Sequence, residues 1–108
     1  MNDERIASLR LQRDGPRDGA LLRFSLGSAL LSDGNGSDAI DELRRAVVFD
    51  PGYSAAWKLL GKACLDTGQK EAAAEAWRSG IAAAVKRGDK QAEKEMGVFL
   101  RRLEKPNL

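Results

Sequence analysis

Apolar residues recur every three or four positions along most of the chain, in segments of about 10–20 residues. This spacing places them on one face of a helix, whereas no stretch shows the strict alternation of a half-buried β-strand. Breaks rich in glycine and proline, such as Gly34-Asn35-Gly36 and Asp50-Pro51-Gly52, separate the segments. The pattern predicts an all-α protein with six helices, at residues 3–13, 18–32, 37–49, 54–67, 69–87 and 89–104.

Residues near the predicted helix ends are of the types that start and stop helices. Asp18, Ser37 and Asp89 are candidate N-caps, because a side-chain oxygen there accepts a free backbone N–H of the first turn. Pro106 predicts the end of the last helix. The clearest predicted buried stripes are Ile40, Leu43 and Val47 in the third helix, Trp57, Leu60 and Cys64 in the fourth, and Ala92, Met96, Phe99, Leu100 and Leu103 in the sixth.

The sequence from Ala20 repeats itself from Ser54, after 34 residues. The first-unit residues that recur unchanged at the aligned position are Leu26, Gly27, Ala29, Leu31, Gly34, Ala39 and Arg44. Each unit is a helix, a glycine turn and a second helix. A single helical hairpin cannot bury its apolar faces alone, so we expect the units to stack and share one core.

These residues resemble the tetratricopeptide repeat (TPR) family. The matching residues are Leu26-Gly27, Ala39, Leu43, Ala46 and Pro51 in the first unit, and Trp57, Leu60-Gly61, Ala73 and Trp77 in the second. The resemblance implies a short right-handed helical-hairpin solenoid. We expect a single domain with an N-terminal helix and turn at 1–19, repeats at 20–53 and 54–88, and a C-terminal capping helix at 89–108.

Several positions depart from the family pattern. Arg23 stands where the first unit would have its tryptophan, and Gly80 replaces the late alanine of the second unit. Val85 stands where the second unit would have its proline, so we expect the fifth helix to run on to Gly88. Met96-Gly97 resembles the start of a third unit that has no second half.

The composition narrows the range of possible functions. The 108 residues include 18 Lys and Arg against 16 Asp and Glu, a net charge of +2, which argues against a dedicated nucleic-acid binder. The chain has no histidine and one cysteine, Cys64, so it lacks the commonest general base and cannot form an internal disulfide. We expect no enzyme activity and no cofactor. Neither a signal peptide nor a membrane span is visible, and we expect a cytoplasmic protein.

One segment partly follows the oxygen spacing of a calcium loop. The residues at ligand positions are Asp33, Asn35, Ser37 and Asp41, but Asp38 stands at the obligatory glycine and Arg44 at the bidentate glutamate. The segment is therefore interpreted as a turn between paired helices, and no metal site is predicted.

The resemblance implies that the first helices of successive units line a concave groove that binds a peptide or protein segment. The predicted groove residues are Leu21, Phe24, Ser28 and Leu31, then Ala55, Lys58, Lys62 and Leu65, then Gln91, Lys94, Val98 and Arg101. One end is apolar and the other basic, which favours an acidic partner with an apolar anchor. The asparagines of the family's chaperone-tail clamp are absent.

Other interpretations remain open at this point. The N-terminal helix would cover Leu21 and Phe24 in one of them, and the lysines would be ordinary solvated charge. A self-assembling structural piece and, less favoured, a nucleic-acid-binding helical protein are the alternative functions. The oligomeric state is expected to be a monomer or a weak homodimer.

Overall fold

The computed structural model describes residues 3–105, and this part of the chain contains α-helices and no strand. The helices are α1 (Asp3–Leu11), α2 (Ala20–Ser32), α3 (Gly36–Phe49), α4 (Ser54–Asp66), α5 (Lys70–Arg87) and α6 (Lys90–Glu104). The predicted bounds agree within two residues at every helix end, which confirms the all-α class and the six helices.

The helices form two stacked hairpins with one further helix at each end. Short turns join α2 to α3 and α4 to α5, and each pair packs along its length. Contact between α3 and α4 joins the two hairpins, α1 packs on α2, and α6 packs on α5. This arrangement confirms the predicted helical-hairpin solenoid.

One continuous core runs through both hairpins. Leu26, Leu43, Trp77 and Met96 are almost wholly inaccessible to solvent and come from four different helices. Gly61 allows α4 and α5 to meet, because a Cβ atom there would lie 2.1 Å from Nε1 of Trp77. The repeated glycine is therefore a requirement of packing between the paired helices rather than of backbone conformation.

Two of the three predicted caps are wrong. Asp89 caps α6 as expected, since its carboxylate accepts a 3.1 Å hydrogen bond from the backbone N–H of Ala92. The helices α2 and α3 instead follow Gly19 and Asn35, and neither has a side-chain cap. Ser37 lies inside the first turn of α3.

The sequence predicts that Gly88 ends α5 and that Pro106 ends α6. The backbone of Gly88 is left-handed, with φ 73°, and it terminates α5 at the predicted place. Pro106, predicted to end α6, lies outside the described residues.

Asp18 fails to cap α2 because a buried arginine takes its carboxylate. Arg23 replaces the family's tryptophan, its side chain is 9% exposed, and its Nε and Nη2 donate to the two Asp18 oxygens at 2.8 Å each. Its Nη1 donates to Glu42 at 3.0 Å, and Glu42 also accepts from Arg13. The bond to Arg23 holds the pKa of Asp18 well below its usual range. These pairs fasten the segment before α2 to both helices of the first hairpin.

Candidate functional site

The surface formed by α2, α4 and α6 is the place where the predicted site residues lie. The backbones of these three helices approach one another in succession, whereas those of α3 and α5 stay farther apart throughout the described part of the chain. The helices are therefore closer together on the α2–α4–α6 side, which makes that side concave. We call this surface the groove.

The apolar end of the groove lies on α2. Leu21 is 68% exposed, so α1, which contributes Ile6 to the core, does not cover it. Phe24 is half-buried, and its ring packs against Tyr53 with the centroids 5.0 Å apart. Ser28 is exposed and Leu31 is half-buried against the core.

The basic end of the groove is partly neutralised within the molecule. Nζ of Lys58 lies 3.0 Å from a carboxylate oxygen of Glu95, in an ion pair that joins α4 to α6. Lys62, one turn further along α4, places its ammonium 5.7 Å from the ring centroid of Phe99. Glu95 was not among the predicted groove residues, because its contact with Lys58 depends on how α6 packs against α4.

The predicted residues of α6 lie beside those that contact α4. Lys94 and Arg101 are exposed, Val98 is half-buried, and no described ion pair or hydrogen bond joins the two cations to another residue. Glu95 and Phe99, one position later in the sequence, make the contacts with α4. The structure therefore joins Lys58 and Lys62 to α6, but through neighbours of the predicted residues.

A cavity of about 320 Å³ opens between the C-terminal parts of α4 and α6. Its lining is mainly apolar, with charged groups from α4 and α6, and consists of Lys62, Leu65, Asp66, Trp77, Phe99, Arg102 and Leu103. This cavity could not be predicted from the sequence, since Trp77, Phe99 and Leu103 have the spacing of core residues. Lys62 and Leu65 are the two predicted groove residues that line it.

A second cavity, of about 340 Å³, lies on the opposite, convex side between α3 and α5. Trp57 lines it, and the indole N–H of Trp57 donates to the carbonyl of Pro51 at 2.8 Å. The buried Cys64 also faces this cavity, and burial raises the pKa of its thiol. A raised thiol pKa keeps Cys64 protonated and unreactive at neutral pH.

Comparison with known proteins assigns the family. No family model matches the chain. A TPR repeat-containing protein of Pseudomonas aeruginosa is 53% identical over 88 residues, which span 82% of this chain and 84% of that protein. The chain therefore belongs to the tetratricopeptide repeat family. TPR repeat proteins are generally non-catalytic scaffolds for protein–protein interaction.

Solved structures show the same fold. A Bordetella parapertussis protein whose solution structure is known has 46% sequence identity to this chain. The match covers 93% of this chain and 84% of the other, with a TM-score of 0.76. A tetratricopeptide repeat domain protein from Salinibacter ruber shares the fold, with a TM-score of 0.75 at 24% identity over 84% of this chain and 91% of that one. Within residues 3–105, no helix has the length and apolar character needed to cross a membrane.

Proposed function

We propose that the protein binds a segment of another protein in the groove, has no catalytic activity of its own, and acts in the cytoplasm. One observation supports the proposal: the three helices of the groove carry the exposed Leu21 and three cations, Lys62, Lys94 and Arg101, that form no ion pair in the described chain. Both features favour a ligand, since exposed apolar side chains and unpaired cations gain contacts when a complementary segment binds.

The proposed binding mode follows from the two ends of the groove. An apolar side chain of the partner packs against Leu21 and Leu31, and acidic groups of the same segment meet Lys62, Lys94 and Arg101. Lys58 contributes less, because Glu95 already neutralises it. The charges mainly set orientation and association rate. The helices hold the groove in place before binding, which lowers the entropy cost of association.

Charge reversal in the groove tests the proposal. A partner is first captured from a lysate of the source organism, and the wild-type chain is compared with the Lys62→Glu, Lys94→Glu double variant by calorimetry at two salt concentrations. Like charges that face each other across an interface cost several kcal/mol, so we expect an affinity loss of about a hundredfold that shrinks at high salt.

The matched control makes the same charge change on α5. Lys70→Glu with Lys86→Glu alters two exposed lysines outside the groove and should leave the affinity unchanged. A groove variant that binds like the wild type, together with a control that loses affinity, would place the partner on the convex side and contradict the proposal.

Self-association is the second candidate, and the end of the helix array favours it. Gly97 corresponds to Gly61, but the nearest atom to a Cβ placed there would be a guanidinium nitrogen of Arg101 at 3.5 Å, and no other described helix lies within 4 Å of it. A second copy of the chain fits such a face. Sedimentation velocity over a range of concentrations tests this, and Gly97→Arg should abolish any dimer it detects.

A further inference from the structure

The cavity between α4 and α6 has an aromatic floor, in which Phe99 is half-buried and Trp77 is only 2% exposed. The rings of Trp77 and Phe99 lie with their centroids 5.4 Å apart and their planes inclined by 46°. Leu65 and Leu103 form the walls. A volume of about 320 Å³ is large enough for one aromatic side chain and too small for a folded element.

Two cations without acidic partners border this floor. Lys62 and Arg102 both line the cavity, and neither forms an ion pair in the described chain. Asp66 is the one carboxylate among the described residues of the lining, and the charged side chains of these residues sum to +1. A guanidinium can hold a carboxylate through two parallel hydrogen bonds. The cavity therefore suits an aromatic group that carries a negative charge nearby.

We infer that this cavity is the anchor site for an aromatic side chain in a partner segment, with an adjacent Asp or Glu that binds Lys62 and Arg102. The inference rests on the proposed function, and it adds a second apolar anchor at the end of the groove opposite Leu21 and Phe24. Charge and shape together select the ligand, because a neutral aromatic group would leave both cations without an anionic partner.

The two tryptophans provide a reporter and an internal control. The indole N–H of Trp77 donates to the carbonyl of Lys58 at 3.1 Å, beside the cavity, whereas Trp57 lies on the convex side. The indole resonances of the ¹⁵N-labelled full-length chain are followed by NMR during titration with 3-phenylpropionate. We expect a saturable shift of Trp77 with a dissociation constant of roughly 1–10 mM, and no shift of Trp57.

The charge requirement is tested with a matched neutral probe. The alcohol 3-phenylpropan-1-ol has the same ring and chain length, and it should bind about tenfold more weakly than the acid. Lys62→Gln with Arg102→Gln should abolish this preference, and Lys70→Gln with Lys86→Gln should leave it intact. All four positions are exposed, so the variants are expected to fold.

Several results would overturn the inference: no saturable shift of Trp77, a shift of Trp57 alone, or equal affinity for acid and alcohol. A stronger Trp77 response to oligothymidylate would assign the cavity to nucleic-acid bases and overturn it as well. If the probes do not bind but Lys62→Glu with Lys94→Glu still lowers the affinity for a captured partner, only this inference is wrong and the proposed function stands. If the proposed function is wrong, we expect the reverse result: a saturable shift of Trp77, and an affinity for the captured partner that the charge reversal in the groove does not change.

Discussion

At the scale of single residues, the missing side chain of Gly61 decides how closely the second hairpin packs. A Cβ atom there would clash with the buried Trp77 indole at 2.1 Å, whereas one at Gly52 would meet the guanidinium of Arg87, the flexible end of an exposed side chain. Gly61→Leu should therefore destabilise the fold by about 3 kcal/mol, and lower the melting temperature by about 10 °C or more.

Gly52→Leu is the control for this packing prediction. It displaces Arg87 and its exposed ion pair with Asp50, a change worth less than about 1 kcal/mol. Thermal unfolding followed by circular dichroism compares the two variants. Similar melting temperatures would mean that Gly61 does not face its neighbouring helix and that the 34-residue register is wrong.

The buried pair of Asp18 and Arg23 makes stability depend on pH. The lowered pKa of Asp18 in the folded chain means that the unfolded chain takes up protons first as the pH falls. The stabilisation is complete above the ordinary carboxyl pKa, about 4, and is lost on acidification below it. We expect the melting temperature to fall from about pH 5 to pH 2.

Asp18→Asn isolates this contribution. The variant should be less stable at neutral pH, because Arg23 loses a partner, and its melting temperature should fall less steeply on acidification. Thermal melts at a series of pH values measure both effects. Parallel curves for the wild type and the variant would show that Asp18 does not contribute to the acid sensitivity.

At the scale of helices, the sequence predicted the elements well and their non-local partners poorly. The helical spacing and glycine breaks are local signals, and they located α3 to α6 within one residue at each end. The cap assigned to Asp18 was wrong because a buried arginine five positions later competes for the same carboxylate. A polar residue at a position of the buried stripe, as at Arg23, is the signal that points to such a partner.

The same limit applies to the candidate site. The groove helices follow from the repeat, but the ion pair of Lys58 with Glu95 joins residues 37 positions apart and depends on how α6 is rotated. The cavity beside Trp77 depends on how three helices are placed relative to one another, and the periodicity of apolar residues does not specify that placement. Contacts within one helix are therefore predictable from the sequence, and contacts between units need the structure.

Removal of α6 is a test at this scale. Met96 is wholly buried against α5, and Phe99 packs on Trp77, so deletion of residues 89–108 would expose a large apolar surface of the second hairpin. Met96 contributes roughly 1.5–3 kcal/mol, and the partly buried Phe99 and Leu103 contribute less each, against a total stability of about 5–15 kcal/mol. We expect aggregation, measured by light scattering, and loss of a cooperative thermal transition.

A point substitution separates the effect of lost packing from the effect of a shorter chain. Met96→Ala keeps the helix and should cost about 2–5 kcal/mol, whereas Val98→Ala, at a half-buried position, should cost less. A truncated chain that remains monomeric and unfolds at the parent temperature would show that α6 does not cap the array.

At the scale of the whole molecule, the net charge of +2 is too small to attract an acidic partner from a distance. Any electrostatic steering must come from the local arrangement of cations in the groove, which acts over about 8 Å at physiological ionic strength. Such steering changes the association rate more than the dissociation rate.

Substitution of the two groove lysines one turn apart on α4 distinguishes this local steering from total charge. Lys62→Gln removes a cation with no acidic partner, and should slow association with the captured partner by about tenfold at low salt. Lys58→Gln removes the same formal charge, but it also frees Glu95, so a new anion appears in the groove and the slowing should be greater. Restoring neutrality with Glu95→Gln in the Lys58→Gln background should recover most of the rate. Surface plasmon resonance at low and high salt measures these rates. Equal slowing by Lys62→Gln and Lys58→Gln, which each lower the net charge by one, would show that only total charge matters and that the groove does not guide the partner.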